Sequence, residues 1–297
     1  MQLIRYRLSP TQTVVGITED GKLVGYIPAS FHALLGLHTD ELRIRLEQVT
    51  QAQEAAFSFS DVLAPIDGET EVWAAGVTYK RSMDARREES ETPDIYSKVY
   101  AAARPELFFK AVARRVSGQD QPIAVRADST WDVPEPELAL VINAYGEIVG
   151  YTVGNDVSSR SIEGENPLYL PQAKVYAGSC ALGPAITPAW EIADPYSLTM
   201  YMTIERNGET YWTGQTSVGN LHRRLEELVE YLYREDDFPG GAILCTGTAL
   251  VPDHPFTLQS GDTVKITIDQ IGTLRNPVVR GKAAYKTDRS NDAVKNG

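Results

Sequence analysis

The hydrophobic pattern of the chain is clearest at residues 131–160, where it predicts two strands joined by a turn. The apolar run 138–142 (LALVI) is short and rich in aliphatic residues, with prolines before it and Asn143 after it. Those features are typical of a buried strand. The sequence NAYG at 143–146 predicts a chain reversal, after which a second apolar segment runs through 148–157.

Alternating apolar and polar positions predict strands over much of the remaining chain. One hairpin is expected near the N-terminus, with its turn at 19–22 (EDGK), and another at the Asn207-Gly208 turn. Residues 71–77 are expected to form the first strand of the main domain. Leucines at helical spacing predict an amphipathic helix over 220–234.

Together these elements predict an α+β protein that is mainly β. A join near Pro65 separates a small N-terminal domain at 1–64 from a main domain at 65–285. The polar segment 286–297 is expected to be a flexible tail.

Composition narrows the class of protein. The 297 residues carry 28 Lys and Arg against 40 Asp and Glu, a net charge of −12, which argues against a nucleic-acid-binding face. Cys180 and Cys245 form no metal-binding or disulfide pattern and are expected to be buried thiols. No apolar run approaches the ~18 residues of a membrane span. We therefore predict a cytoplasmic protein with no membrane or nucleic-acid partner.

Three carboxylates flank the two central strands. Glu135 and Glu137 are two residues apart, so on a strand they point to one face, about 6–7 Å from each other. Asp156, at the end of the returning segment, can complete a cluster. Their mutual repulsion favours a bound cation, and oxygen-only ligands favour Mg²⁺, Mn²⁺ or Ca²⁺ over zinc. The alternative is that these carboxylates are solvated charges at a strand end.

Five motifs give the chain a resemblance to a known family. They are RPELFFKA (104–111), PEPELALVIN (134–143), IVGYTVGNDVSSRS (148–161), CTGTALVP (245–252) and IGTLRNPV (271–278). In this order, over residues 65 to 285, they resemble the fumarylacetoacetate hydrolase family. The resemblance implies a mixed, rolled β-sheet core and association into a dimer or tetramer. It also implies a divalent metal held by Glu135, Glu137 and Asp156, with a 2-oxo acid substrate bound to that metal.

The charged stretch 80–104 corresponds to a mobile lid in the family. It is otherwise typical of a solvated helix. The resemblance makes Ser82 and Arg86 candidates for substrate binding. Hydrolytic members carry a Tyr-x-x-His-x-x-Glu pattern here, whereas Tyr79 is followed three residues later by Ser82. The histidine that activates water is therefore absent.

Two further residues are candidates for proton transfer. Glu106 stands where the family usually has an apolar or small residue, and its alternative role is an ion pair with Arg104 or Lys110. Lys174 lies eighteen residues beyond Asp156, as the family's active-site lysine does. A desolvated lysine beside a cation exchanges protons readily. Thr248, in the Thr-Gly-Thr motif, is expected to approach the substrate carboxylate.

The loop at 161–174 resembles the corresponding loop in the branch of the family that dehydrates 2-keto-3-deoxy sugar acids. The absence of the water-activating histidine also favours this branch over the hydrolases. The expected reaction is conversion of a 2-keto-3-deoxy-D-arabinonate-type substrate to 2-oxoglutarate semialdehyde. One alternative is an acylpyruvate-type C–C hydrolase or a 2-oxo acid decarboxylase with another base. Another is a metal-dependent binder of dicarboxylates that catalyses no reaction.

Overall fold

The structure is a computed structural model, and it describes residues 1–51, 61–89 and 94–295. Within these ranges, the side chains of Gln51, Arg86, Glu88, Glu89 and residues 289–295 lie outside the described part.

The strands of the described part, in chain order, are β1 (Gln2–Ser9), β2 (Gln12–Glu19), β3 (Lys22–Ile27), β4 (Thr50–Gln51), β5 (Val62–Leu63), β6 (Glu71–Gly76), β7 (Glu106–Val112), β8 (Ile123–Val125), β9 (Asp132–Val133), β10 (Pro136–Ile142), β11 (Ile148–Asp156), β12 (Ser158–Ser159), β13 (Cys180–Pro188), β14 (Thr199–Arg206), β15 (Glu209–Ser217), β16 (Ala242–Cys245), β17 (Thr263–Ile268) and β18 (Gly272–Arg280). The α-helices of the same part are α1 (Phe31–Leu35), α2 (Thr39–Glu47), α3 (Lys80–Glu89), α4 (Asp94–Ala101), α5 (Arg160–Glu165), α6 (Leu170–Lys174), α7 (Leu225–Tyr233) and α8 (Gly281–Lys295).

A large mixed sheet forms the centre of the molecule. Its strands follow the order β4-β3-β2-β1-β13-β11-β10-β16-β6-β7, and β5 pairs with β1. All neighbours are antiparallel except β16 and β6, which are parallel. A second sheet, of order β15-β14-β17-β18-β8, packs against one face of it through a shared apolar core. The predicted α+β, mainly β, fold is confirmed.

The central strand β10 is buried on both of its faces. Leu138, Leu140 and Ile142 contribute to the core beneath the second sheet, whereas Ala139 and Val141 contribute to a core on the opposite face. This double burial explains why the run 138–142 has no polar position. The predicted turn also forms, with Gly146 in the left-handed region at φ 75°.

The hairpin predictions are confirmed as well. β2 and β3 meet at Asp20 and Gly21, and β14 and β15 meet at Asn207 and Gly208, with positive φ at all four residues. The helix predicted over 220–234 is shorter in the structure. It spans Leu225–Tyr233 and is preceded by a 3₁₀ turn at residues 218–220.

The first and last described segments of the chain both contact the central part of the fold. Strand β1 pairs with β13 in the central sheet, so strands β1 to β5 extend that sheet. Of the segment predicted to be a flexible tail, residues 286–295 are described and belong to α8. Ala283 and Ala284 favour a helix, and Tyr285 is buried, with its hydroxyl 3.2 Å from that of Ser117. Among the described helices, none is both long and apolar enough to cross a bilayer.

Candidate active site

The three predicted metal ligands converge at one end of the β10–β11 hairpin. Glu137 pairs with Gly154 across the two strands, which places Asp156 and Glu137 on the same face of the sheet. Glu135 joins them because its carbonyl oxygen accepts a 2.9 Å hydrogen bond from the backbone N–H of Asp156. One carboxylate oxygen from each residue lies within 4.8 Å of the other two.

All three carboxylates are buried, so their charges interact strongly. Burial raises the pKa of Glu137 well above its usual value, and the neighbouring Asp156 and Glu135 raise it further. Lys174 and the backbone N–H of Gly247 oppose this shift. Three hard oxygen donors that repel one another fit a hard divalent cation, because such an ion would offset the repulsion.

The loop that follows β16 contacts the carboxylate of Glu137. The backbone N–H of Gly247 donates a 2.6 Å hydrogen bond to Oε2 of Glu137. Gly247 has φ 94°, and a Cβ atom there would lie 2.0 Å from Oγ1 of Thr78. The N–H of Gly247 therefore holds the carboxylate of a predicted metal ligand.

Lys174 is buried and its ammonium lies among oxygen acceptors. It donates hydrogen bonds to Oε2 of Glu135 at 2.9 Å, to Oδ2 of Asp156 at 3.0 Å and to Oγ of Ser158 at 2.6 Å. Helix α6 presents it, and the ring of Phe108 lies 5.5 Å below the ammonium. The resemblance predicted that this lysine reaches the three carboxylates, and in the structure it contacts two of them.

A small cavity of about 20 Å³ lies beside the carboxylate cluster. The other predicted site residues that line it are Ser82 from α3, Glu106 from β7 and Thr248. Thr248 is buried, and its hydroxyl oxygen accepts a 3.1 Å hydrogen bond from the backbone N–H of Leu250. Seven of the eight predicted residues thus surround one cavity.

The eighth predicted residue, Arg86, belongs to α3, but its side chain lies outside the described part of the chain. Helices α3 and α4 form the predicted lid region. Arg223 fixes the far end of α4 by donating to the carbonyl oxygens of Ala102 at 2.5 Å and Ala103 at 3.1 Å. A cation at these carbonyls also complements the helix dipole.

Of the described residues that line the cavity, none is a histidine. His222, in particular, is exposed and stacks on Tyr100 at 4.3 Å. The site therefore offers carboxylates, a lysine and hydroxyl groups for chemistry.

Comparison with known proteins places this geometry in a family. A family model described as the fumarylacetoacetate (FAA) hydrolase C-terminal domain matches residues 71–279, which is more than half of the chain. The chain belongs to this family. The three carboxylates of the cluster lie within the matched residues.

Two curated relatives within the family are similar over most of their length. The "Probable 2-keto-3-deoxyxylonate dehydratase" of Haloferax volcanii is 53% identical over 239 residues, covering 80% of this chain and 82% of the relative. The 2-dehydro-3-deoxy-D-arabinonate dehydratase of Saccharolobus solfataricus is 46% identical over 229 residues, covering 75% and 76%.

A solved structure of 2-keto-3-deoxy-D-arabinonate dehydratase, complexed with magnesium and 2,5-dioxopentanoate, has the same fold. It superimposes with a TM-score of 0.81 at 37% identity, covering 94% of this chain and 99% of that one.

Three charged residues of this site were not predicted from the sequence. Arg160 is buried, and its guanidinium lies 3.2 Å from Oε1 of Glu135. Glu163 is buried on α5 and lines the cavity. Lys110 is buried against Asp156. Arg160 and Glu163 are three residues apart on one helix face, a spacing that could have indicated a shared role.

Proposed function

We propose that this chain dehydrates a 2-keto-3-deoxy sugar acid of the pentonate type, with 2,5-dioxopentanoate, also called 2-oxoglutarate semialdehyde, as the product. The observation that carries the proposal is the cavity itself, where Glu106 and Lys174 face a carboxylate cluster and no described histidine is present. The two dehydratase relatives and the dehydratase structure support it.

The metal ligands would be Glu135, Glu137 and Asp156, and the ion would be Mg²⁺. A bound divalent cation polarises a 2-oxo acid and so acidifies its C3 hydrogens. The buried triad, Lys174 and Arg160 bring balancing charges to the same small volume. Ser82, Arg86 and Thr248 are the proposed contacts to the remainder of the substrate.

Two residues of opposite charge, Glu106 and Lys174, carry the proposed proton transfers. Glu106 accepts the proton that leaves C3. Lys174, whose ammonium is surrounded by acceptors, gives a proton to the C4 hydroxyl, which departs as water. A C5 proton is then exchanged for one at C3, and the C4–C5 enol tautomerises to the aldehyde. The sum is the loss of one water molecule, without oxidation or reduction.

The decisive experiment supplies Mg²⁺ and a panel of 2-keto-3-deoxy pentonates and acylpyruvates, and follows semialdehyde and pyruvate separately. We expect semialdehyde, and a loss of at least about 10²-fold in kcat for Glu106→Gln and for Lys174→Met. Glu205 and Lys265 provide matched controls, because they form an ion pair on the second sheet, outside the residues that line the cavity. Glu205→Gln and Lys265→Met should leave kcat within about twofold of the parent.

Release of pyruvate from acylpyruvates, without formation of semialdehyde from any pentonate, would show that the chain catalyses C–C hydrolysis and not the proposed dehydration. Tight binding of dicarboxylates without turnover would instead indicate a binding protein. Titration with Mn²⁺ and Ca²⁺ in parallel tests the preference for Mg²⁺.

We also infer that the enzyme is cytoplasmic and that its copies associate as a dimer or tetramer. This inference rests on the family resemblance and on the composition. Light scattering coupled to size-exclusion chromatography measures the molar mass, and a mass of one chain would contradict it.

A further inference from the structure

Lys110 on β7 is a buried lysine to which the proposed reaction gives no role. Its side chain is 0% exposed, and it is among the largest fully buried side chains of the described chain. Moving an ammonium out of water costs several kcal/mol unless charge and hydrogen bonds compensate it. The partners of Lys110 therefore indicate what the residue does.

The ammonium of Lys110 contacts three oxygen atoms, one through an ion pair and two through hydrogen bonds. It forms an ion pair with Oδ1 of Asp156. It also donates to the carbonyl oxygen of Val157 at 3.1 Å and to that of Lys174 at 2.6 Å. One cation thus contacts a metal ligand, the residue after it, and the main chain of the proposed proton donor.

These contacts determine how Asp156 is oriented. Because Oδ1 faces Lys110, the other oxygen, Oδ2, faces Lys174 at 3.0 Å on the cavity side. Lys110 and Lys174 therefore lie on opposite oxygens of one carboxylate. The hydroxyl of Ser179 reinforces the arrangement by donating to the same carbonyl of Lys174 at 2.9 Å.

We propose that Lys110 is a positioning residue that orients Asp156 towards the metal and fixes the main chain of α6 beneath Lys174. It links the two halves of the site, the metal ligands on the β10–β11 hairpin and the lysine that follows on α6. The effect on turnover rests on the proposed function, whereas the effect on Asp156 and on metal binding does not.

The test uses Lys110→Met, which keeps an unbranched apolar stem of nearly the same length and removes the charge. In EDTA, the variant removes one of the two buried cations at Asp156 and leaves Oδ1 without its ion pair, so Tm should fall by on the order of 10 °C. Excess Mg²⁺ should recover much of this loss, since the ion supplies positive charge at the same carboxylate. At saturating Mg²⁺, kcat should still be lower by about 10–100-fold, with KM changed less.

Two controls separate positioning from mere packing. Lys265→Met removes a paired lysine on the second sheet and should show the same Mg²⁺ response of Tm as the parent. Lys110→Arg keeps the charge and should retain more of the Mg²⁺ affinity, measured by calorimetry without substrate, than Lys110→Met does. A Tm deficit of Lys110→Met that is equal in EDTA and in Mg²⁺ would overturn the proposal.

A charge-rescue pair covers the case in which Lys110→Met folds poorly. The double variant Lys110→Met with Asp156→Asn removes both charges, so its Tm in EDTA should exceed that of either single variant. A double variant as unstable as the sum of the singles would overturn the proposal. Both readouts are independent of turnover, so they stand even if the substrate assignment fails.

Discussion

At the scale of single residues, Asp132 is a buried carboxylate that the proposed chemistry does not use. Its side chain is fully buried. Burial raises its pKa to about 6, although Ser129 and Arg280 lie close enough to oppose the shift. A carboxyl group with a raised pKa binds protons more tightly in the folded chain than in the unfolded chain.

The expected consequence is a stability that falls as pH rises. Between the model-peptide value of 3.8 and about 6, the folded state holds a proton on Asp132 that the unfolded state has lost. The contribution of Asp132 to stability is therefore present at low pH and is lost as pH rises through about 6. Asp132→Asn should remove this component, so its Tm relative to the parent should increase from pH 4 to pH 7.

Asp128 provides the control for that measurement. It is exposed, and its hydrogen bond with Arg126 lowers its pKa, so its contribution has the opposite sign. Asp128→Asn should show no rise in relative Tm over this pH range. A flat difference between Asp132→Asn and the parent would contradict the prediction.

At the scale of elements, the pairing of β6 with β7 positions the proposed base. Gly76 lies opposite Glu106 in the antiparallel register, and the carboxylate of Glu106 folds over it. A Cβ atom at position 76 would lie 2.1 Å from Oε2 and 2.7 Å from the carboxylate carbon. Because these atoms are the flexible end of a side chain, the strands can keep their pairing while the carboxylate moves.

We therefore expect Gly76→Ala to fold and to lose activity. A displacement of about 1 Å at a catalytic group can lower the rate by roughly 10²-fold. The loss should appear in kcat, with a Tm close to that of the parent. Gly16→Ala is the matched control, since its Cβ would meet side chains of Leu23 and Ile4 far from the cavity. Equal kcat for both variants would show that Glu106 is not held by this pairing.

The elements also show which parts of the site can be predicted from sequence. Glu135, Glu137 and Asp156 belong to one hairpin, so periodicity and a turn signal were sufficient to bring them together. Lys110 could not be placed this way, because Asp156 lies 46 residues further along the chain and on a strand that is not its neighbour in the sheet. Strand periodicity gives the face of a side chain, whereas sheet order decides which charges meet across that face.

At the scale of the whole molecule, the N-terminal segment is built into the central sheet. Leu3, Val15 and Phe31 share one apolar core with Val72 and other residues of the main sheet. The alternating pattern near the N-terminus predicted the β2–β3 hairpin, but it did not predict the short strands β4 and β5. It could not show that β1 would pair with β13, because that pairing joins residues more than 180 positions apart. The boundary at residue 64 stays a prediction about sequence organisation.

A shared core predicts cooperative unfolding of both regions. Heating the full chain should give one calorimetric transition, because separating residues 1–64 would expose apolar surface on β13 and β6 as well. Phe31→Ala, at a side chain that is 2% exposed, should cost about 3–5 kcal/mol and shift that single transition downwards as a whole. Ile44→Ala, at a residue of neighbouring α2 that is 57% exposed, should shift it little. Two transitions, of which only one moves in Phe31→Ala, would instead show that the N-terminal segment unfolds as an independent domain.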